Sequence, residues 1–216
     1  ERMEEASKKG KKQDEAGKRL LLKCKKALED EISLRDIEFN EEEKKIMLPY
    51  QFLSVMPEII VLNIDEKDLN SEKVKNLQQE IETYFKKKGQ SAVPPVLALC
   101  GKIEMEIAQL SQDEAKAFLD DMGIAEPAMN RLCRVSYETL GLISFFTVGE
   151  DEVKAWTIKN GTNAHKAAGK IHSDIEKGFI RAEVIGFDDF VLSDESMVKG
   201  KEKGLVRLEG KTYLVK

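Results

Sequence analysis

Ile59-Ile60-Val61-Leu62-Asn63-Ile64-Asp65-Glu66, entered after Pro57, is the stretch on which the reading of this chain turns. Four consecutive apolar residues closed by an Asn predict a short buried strand. Downstream, Leu69 to Lys88 carries Val74, Leu77, Ile81, Tyr84 and Phe85 on one helical face, with Gly89 as the stop. Val93-Pro94-Pro95-Val96-Leu97-Ala98-Leu99-Cys100 then predicts a second buried strand. Strand, helix and strand with a crossover of this length form a βαβ unit, so the strands are expected side by side and parallel. Both are apolar on both faces and ask for neighbours that this sequence does not contain. A bare apolar surface is therefore expected beside them.

Upstream, the character is different. Residues 1–26 hold ten Lys or Arg against five acids, and Leu20, Leu21, Cys24, Ala27, Leu28 and Ile32 recur three and four apart. This predicts an amphipathic helix from about Asp14 to Ile32, with Lys8–Lys12 at the tip of a helical hairpin. Such an arm is either a solvated charged face or a contact for an anionic partner. Further along, Ser111-Gln112-Asp113-Glu114 has capping-box spacing and starts a helix ending near Met122–Gly123. Another helix follows Pro127 and carries Leu132, Val135, Leu140 and Leu142. Beyond Leu142 the pattern turns to short strands: 145–149 and 153–158 around a turn at Gly149–Asp151, then 179–185, 205–208 and 213–215. One short helix is expected among them, at Ala164–Ile171. The result reads as an α+β module of β-grasp type.

Composition narrows the function. The 216 residues carry 35 Lys and Arg against 40 Asp and Glu, a net charge of −5, which excludes a wholly basic nucleic-acid binder but not a locally basic face. No DNA partner is expected. No apolar run approaches the roughly 18–20 residues that span a bilayer, so no membrane is expected. Cys24, Cys100 and Cys133 are odd in number and far apart and, with two His, form no zinc pattern. A reducing cytoplasmic setting and no metal site are expected. His165 and His172, seven residues apart on a helix and so about 10 Å apart, are too distant for one ion. Opening on Glu1 and without a leader pattern, the chain reads as a piece of something longer.

The candidate chemistry lies where the first strand ends. In doubly wound α/β folds ligands sit outside the carboxyl ends of the strands. An Asn at that point can offer its amide to a purine, and an acid three residues on can accept from guanine N1–H and N2–H₂. Here Asn63 is followed by Glu66, one methylene longer than the Asp of guanine-selecting loops, with Ile64 in place of their Lys. The loop is thus poorly suited to enforcing guanine. Cys100 and Gly101, at the end of the second strand, fall where a second loop of the same site would lie. Cys100 is expected to be buried and structural. A second candidate surface is 153–172, with Lys154, Lys159, Lys166, Lys170, Trp156 and no acid. It reads either as an RNA-phosphate contact or as ordinary solvated lysines around a core Trp.

These residues carry a resemblance. Asn63–Glu66, Leu99–Ile107, Asn130-Arg131, Phe145-Phe146-Thr147, Glu152–Ile158, Ala167–His172 and Asp174–Glu183 resemble the Obg-like ATPase (YchF) family over essentially the whole chain. The resemblance implies a helical coiled-coil arm at 1–47, the closing part of a P-loop nucleotide-binding domain with a parallel sheet at 48–141, and a TGS domain of β-grasp type at 142–216. It implies that Asn63, Ile64 and Glu66 form the base-specificity loop, favouring ATP while accepting GTP, with Cys100 and Gly101 behind the base. It also implies Mg²⁺ with the nucleotide and a ribosomal or rRNA partner met through the arm and the TGS domain, where Lys154, Lys159, Lys166, Lys170 and Arg181 would meet phosphates. The phosphate loop G-x-x-x-x-G-K-[ST], which supplies the Mg²⁺ ligand, is absent from the sequence. No catalytic residue is therefore expected here, and the chain alone should hydrolyse nothing. The alternative reading is a non-enzymatic module that binds ribosome, RNA or protein and has no nucleotide role.

Overall fold

A computed structural model of the protein describes residues 15–69, 71–88, 93–149 and 152–216. It divides into two compact units, Glu1–Thr139 and Leu140–Lys216.

The first unit opens with helix α1 (Glu15–Glu29), whose buried stripe is Gly17, Leu20, Cys24 and Ala27 at spacings of three and four. The stripe closes on Leu34 and Met47, with Ile37, Phe39, Ile46 and Phe52 at its margin. The helix ends earlier than its apolar pattern suggests, and Leu28 and Ile32 are 45% and 46% exposed. The stop is a backbone motif. Glu31 takes the left-handed conformation at φ 57°. Its N–H bonds the Leu28 carbonyl at 3.2 Å, and the Ile32 N–H bonds that of Ala27 at 2.8 Å. Helix α2 (Glu41–Met47) begins with a reciprocal cap: Asn40 Oδ1 accepts from the Glu43 N–H and Glu43 Oε2 from the Asn40 N–H, both at 2.9 Å. The hairpin tip expected at Lys8–Lys12 lies outside the described residues.

Strands β1 (Ile60–Asn63) and β2 (Val96–Leu99) pair in parallel, Ile60 opposite Val96 and Asn63 opposite Leu99. Helix α3 (Glu72–Lys87), capped by the Ser71 hydroxyl on the Val74 N–H, makes the crossover. Among the described residues this sheet has two strands. Ile60, Leu77, Ile81, Tyr84 and Phe85 line an open apolar groove, with Leu77 and Tyr84 41% and 53% exposed. The bare surface expected from the sequence is present.

The outer edge of β2 is occupied. The Ile60 and Ile64 N–H groups bond the Pro95 and Leu99 carbonyls, both at 2.9 Å, so in a pleated strand the Val96 and Ala98 carbonyls face away from β1. Each accepts from a side chain at 3.1 Å, Gln78 Nε2 on Val96 and Arg131 Nη2 on Ala98. Behind β2, helix α4 (Gly101–Ile107) buries Ile103 and Ile107 beside Cys100 and beside Leu119 of helix α5 (Gln112–Asp121). The expected box at Ser111 is formed, with Glu114 accepting from the Ser111 N–H at 3.0 Å and its hydroxyl at 2.6 Å. Helix α6 (Ala128–Thr139) closes the unit.

The second unit starts with an antiparallel hairpin of β3 (Leu142–Val148) and β4 (Val153–Lys159). Helix α7 (Ala164–Ile171) follows, capped by Asn163, which accepts from the Lys166 N–H at 2.9 Å. After helix α8 (Ser173–Gly178), strand β5 (Arg181–Val184) pairs antiparallel with β6 (Arg207–Gly210). Ala164, Ala168 and Phe179 form the core, with Ala182 and Tyr213 against it. Three expectations need correction. Leu142, expected on the helix after Pro127, opens β3, and Leu140 lies between that helix and the strand. Among the described residues the unit has four helices, not one: α8, α9 (Phe187–Leu192) and α10 (Met197–Glu202) span six residues each, too few for a helical period to stand out. The strand expected at 213–215 is a single bridge, Leu214 opposite Asn163. Among the described residues the two strand pairs do not join into one β-grasp sheet.

Candidate functional site

The parallel register puts the ends of β1 and β2 side by side, so the two candidate loops meet. Asn63 Oδ1 accepts from the Gly101 N–H at 3.1 Å, across 38 residues of sequence. That donor fixes which way the amide faces, leaving its NH₂ as the outward group. Gly101 is small for a reason: a Cβ there would lie 3.3 Å from Asn63 Oδ1. The Ile64 side chain packs on the cluster of Cys100, Ile103, Ile107 and Leu119, so what Ile64 can offer a ligand is its backbone. Cys100 is 4% exposed in that cluster and serves as packing.

Glu66 sits at the other end of the loop, in a short 3-10 turn capped by Asp65, whose side chain accepts from the Lys67 N–H at 3.3 Å. The Glu66 carboxylate takes the Lys102 ammonium at 3.3 Å, and Glu106 stands 4.0 Å from the same nitrogen. The hydrogen bond to Glu66, and then the charges of Glu66 and Glu106, hold the Lys102 ammonium above its ordinary pKa. Asn63 and Glu66 are thus each tied to the start of α4, one through Gly101 and the other through Lys102.

Two residues with structural or electrostatic parts here were not legible as such from spacing. Lys102 lies 36 residues from its partner. Glu104 accepts from the Ala128 N–H at 2.8 Å and the Met129 N–H at 3.2 Å, capping α6 from another helix. A signal for it existed: Glu126-Pro127-Ala128 offers that helix no Ser, Thr, Asp or Asn at its start.

The basic residues of the second unit do not form one uniform face. Alternation along β4 sets Lys154 on the side of Trp156 and Ile158 and Lys159 on the other. The Lys154 ammonium lies 4.7 Å from the centre of the Trp156 ring, whose Nε1–H donates to Thr147 Oγ1 at 3.0 Å. The Lys159 ammonium donates to the Leu140 carbonyl at 2.8 Å and ties down the base of the hairpin. Lys166 and Lys170, one helical turn apart on α7, are both exposed, as is Arg181 at the start of β5.

Comparison with known proteins gives the family. The family profile for the C-terminal region of YchF-type GTPases, described as a protein of unknown function (DUF933), matches residues 142–216. The ribosome-binding ATPase YchF of Bacillus subtilis (strain 168) is 41% identical over 196 residues, covering 91% of this chain and 52% of its own length. The ribosome-binding ATPase YchF of Escherichia coli O157:H7 is 38% identical over 215 residues, covering 100% of this chain and 57% of its own. The chain belongs to the YchF family. It spans about half the length of the curated relatives it matches. The solved structure of the Schizosaccharomyces pombe YchF GTPase superposes with a TM-score of 0.74 over 94% of this chain and 52% of its own, at 24% identity, a likeness of fold alone. Among the described residues of this YchF-family chain, no helix is long and apolar enough to cross a membrane. Among the same residues, no group of three or more His, Cys, Asp or Glu could hold a metal ion.

Proposed function

We propose that this chain carries the base-reading part of an ATP site in a ribosome-associated nucleotide hydrolase that prefers ATP to GTP. The observation that supports the reading best is the Asn63–Gly101 bond, which joins two loops at the carboxyl ends of adjacent parallel strands and leaves the Asn63 amide donors facing outward. The residues present suit a purine base. Asn63 would donate to the ring, the Ile64 backbone would meet its edge, Glu66 would border it, and Gly101 would let the second loop approach closely behind it. ATP with Mg²⁺ would supply the phosphoryl group; the chain's own residues here bind and orient the base and carry no proton transfer. On this reading 1–47 is an arm, 48–141 the closing part of the nucleotide domain and 142–216 a TGS domain. The groove along Ile60, Leu77 and Tyr84 would then receive the rest of that domain, joining at the β1 side. Lys154, Lys166, Lys170 and Arg181 would meet rRNA phosphates, while Lys159 is spent on its hairpin.

The test is calorimetric titration of the intact protein, phosphate loop included, with ATP, ADP and GTP. The reading expects binding with ATP favoured over GTP, and weaker binding of both nucleotides on Asn63→Ala. Binding undiminished in Asn63→Ala would reduce the loop to a structural tie. Absence of all nucleotide binding would favour the module that contacts ribosome or protein without a nucleotide role.

A further inference from the structure

Glu66 has two carboxylate oxygens, and one of them is engaged. Its Oε2 receives the Lys102 ammonium at 3.3 Å, with both side chains exposed and Glu106 4.0 Å from the same ammonium. Lys102 is the second residue of α4, and the neighbouring Gly101 N–H is held by Asn63 Oδ1 at 3.1 Å. One dipeptide at the end of β2 therefore holds both ends of the loop that follows β1.

The chemistry of the two purines makes this arrangement unequal. Guanine presents N1–H and N2–H₂ side by side, which a carboxylate satisfies best with both oxygens at once. Adenine presents an acceptor at N1 and a donor at N6, and a free carboxylate would repel the first. A lysine on one oxygen occupies one of its acceptor sites, draws the carboxylate towards α4 and offsets the charge facing the adenine ring nitrogen. We propose that Lys102 is a specificity-determining residue of this loop, restraining Glu66 so that it cannot serve guanine as a two-oxygen acceptor. The inference rests on the base-site reading above and adds to it a residue that does not itself touch the base.

The test compares ATP and GTP dissociation constants of the intact protein, as wild type and as Lys102→Met, Lys102→Arg and Glu66→Gln variants, with thermal melting as a control for folding. Lys102→Met should lower the ATP-to-GTP preference by about threefold to fivefold, mainly through tighter GTP binding, the size of an exposed ion pair. Lys102→Arg should retain the wild-type preference. In a Glu66→Gln background Lys102→Met should change the preference less than twofold, because the lysine acts through the carboxylate. A preference that stays within twofold in Lys102→Met alone, or that shifts equally in the Glu66→Gln background, overturns the proposal while leaving the base site standing. A wild-type protein that binds neither nucleotide overturns both.

Discussion

Asn63→Asp separates the two jobs assigned to this side chain, because it keeps the shape and the acceptor while removing the amide donors. The retained oxygen still faces the Gly101 N–H at 3.1 Å. A neutral bond of this kind contributes about 1 kcal/mol and a charge-assisted one roughly twice that. The fold should therefore hold or gain up to about 1 kcal/mol, a rise of at most about 3 °C in melting temperature. Nucleotide binding should move the other way. Loss of the outward donors, with a carboxylate oxygen in their place, should weaken ATP binding by about tenfold to a hundredfold. The assay is a melt paired with calorimetric titration of the same preparation of intact protein. Unchanged ATP affinity would refute the assignment of the amide to the base. A fall of more than about 5 °C in melting temperature would refute the account of the Gly101 bond.

The remaining predictions concern caps and charges. The Glu43 carboxyl is held below the usual 4.5 by the Asn40 backbone N–H, and that of Glu114 by the Ser111 hydroxyl and N–H. A depressed folded pKa adds stability above 4.5 that is lost as pH falls through the folded value, so urea midpoints should drop from about pH 5 towards pH 3. Glu43→Gln with Glu114→Gln should flatten that slope, and an unaltered slope would count against the caps. Glu31→Gly should stabilise the end of α1 by about 0.5–1 kcal/mol, since φ 57° is unfavourable for Glu and easy for Gly. A melting temperature that does not rise would contradict this. If the proposed ribosomal contact holds, Lys166→Gln with Lys170→Gln should weaken it and reduce its salt dependence by about one logarithmic unit per lost phosphate contact. Lys159→Gln should instead loosen the hairpin it ties to Leu140 and leave that salt slope alone.

The βαβ unit was legible because its evidence is local and redundant: two apolar runs, a helical face between them and Gly or Pro at the joints. The candidate base loop could be singled out only through that context. Asn-x-x-Glu occurs twice, as Asn40–Glu43 and Asn63–Glu66. The first is a helix cap, both of its bonds closing within four residues. The second stands at the end of a strand and reaches across to Gly101. Spacing is identical; the four apolar residues before Asn63 make the difference. Lys102 and Glu104 could not be assigned because their partners lie 36 and 24 residues away, a distance only the tertiary fold closes. The over-extension of α1 to Ile32 has another cause. Ile32 does belong to the helix end, but as the donor that closes its final turn, and apolar residues in that role look like a continuing stripe. The strand mixture of the second unit was legible, while helices of six residues left too little periodicity to distinguish them from turns.

The Gln78 and Arg131 side chains on the outward carbonyls of β2 have a consequence for self-association. A filament of stacked sheets needs every copy to offer two edges, one to receive and one to extend. In this sheet one edge is stoppered, so pairing through it joins two chains at β1 and extends no further. The sheet is a chain reaction with its terminator built in.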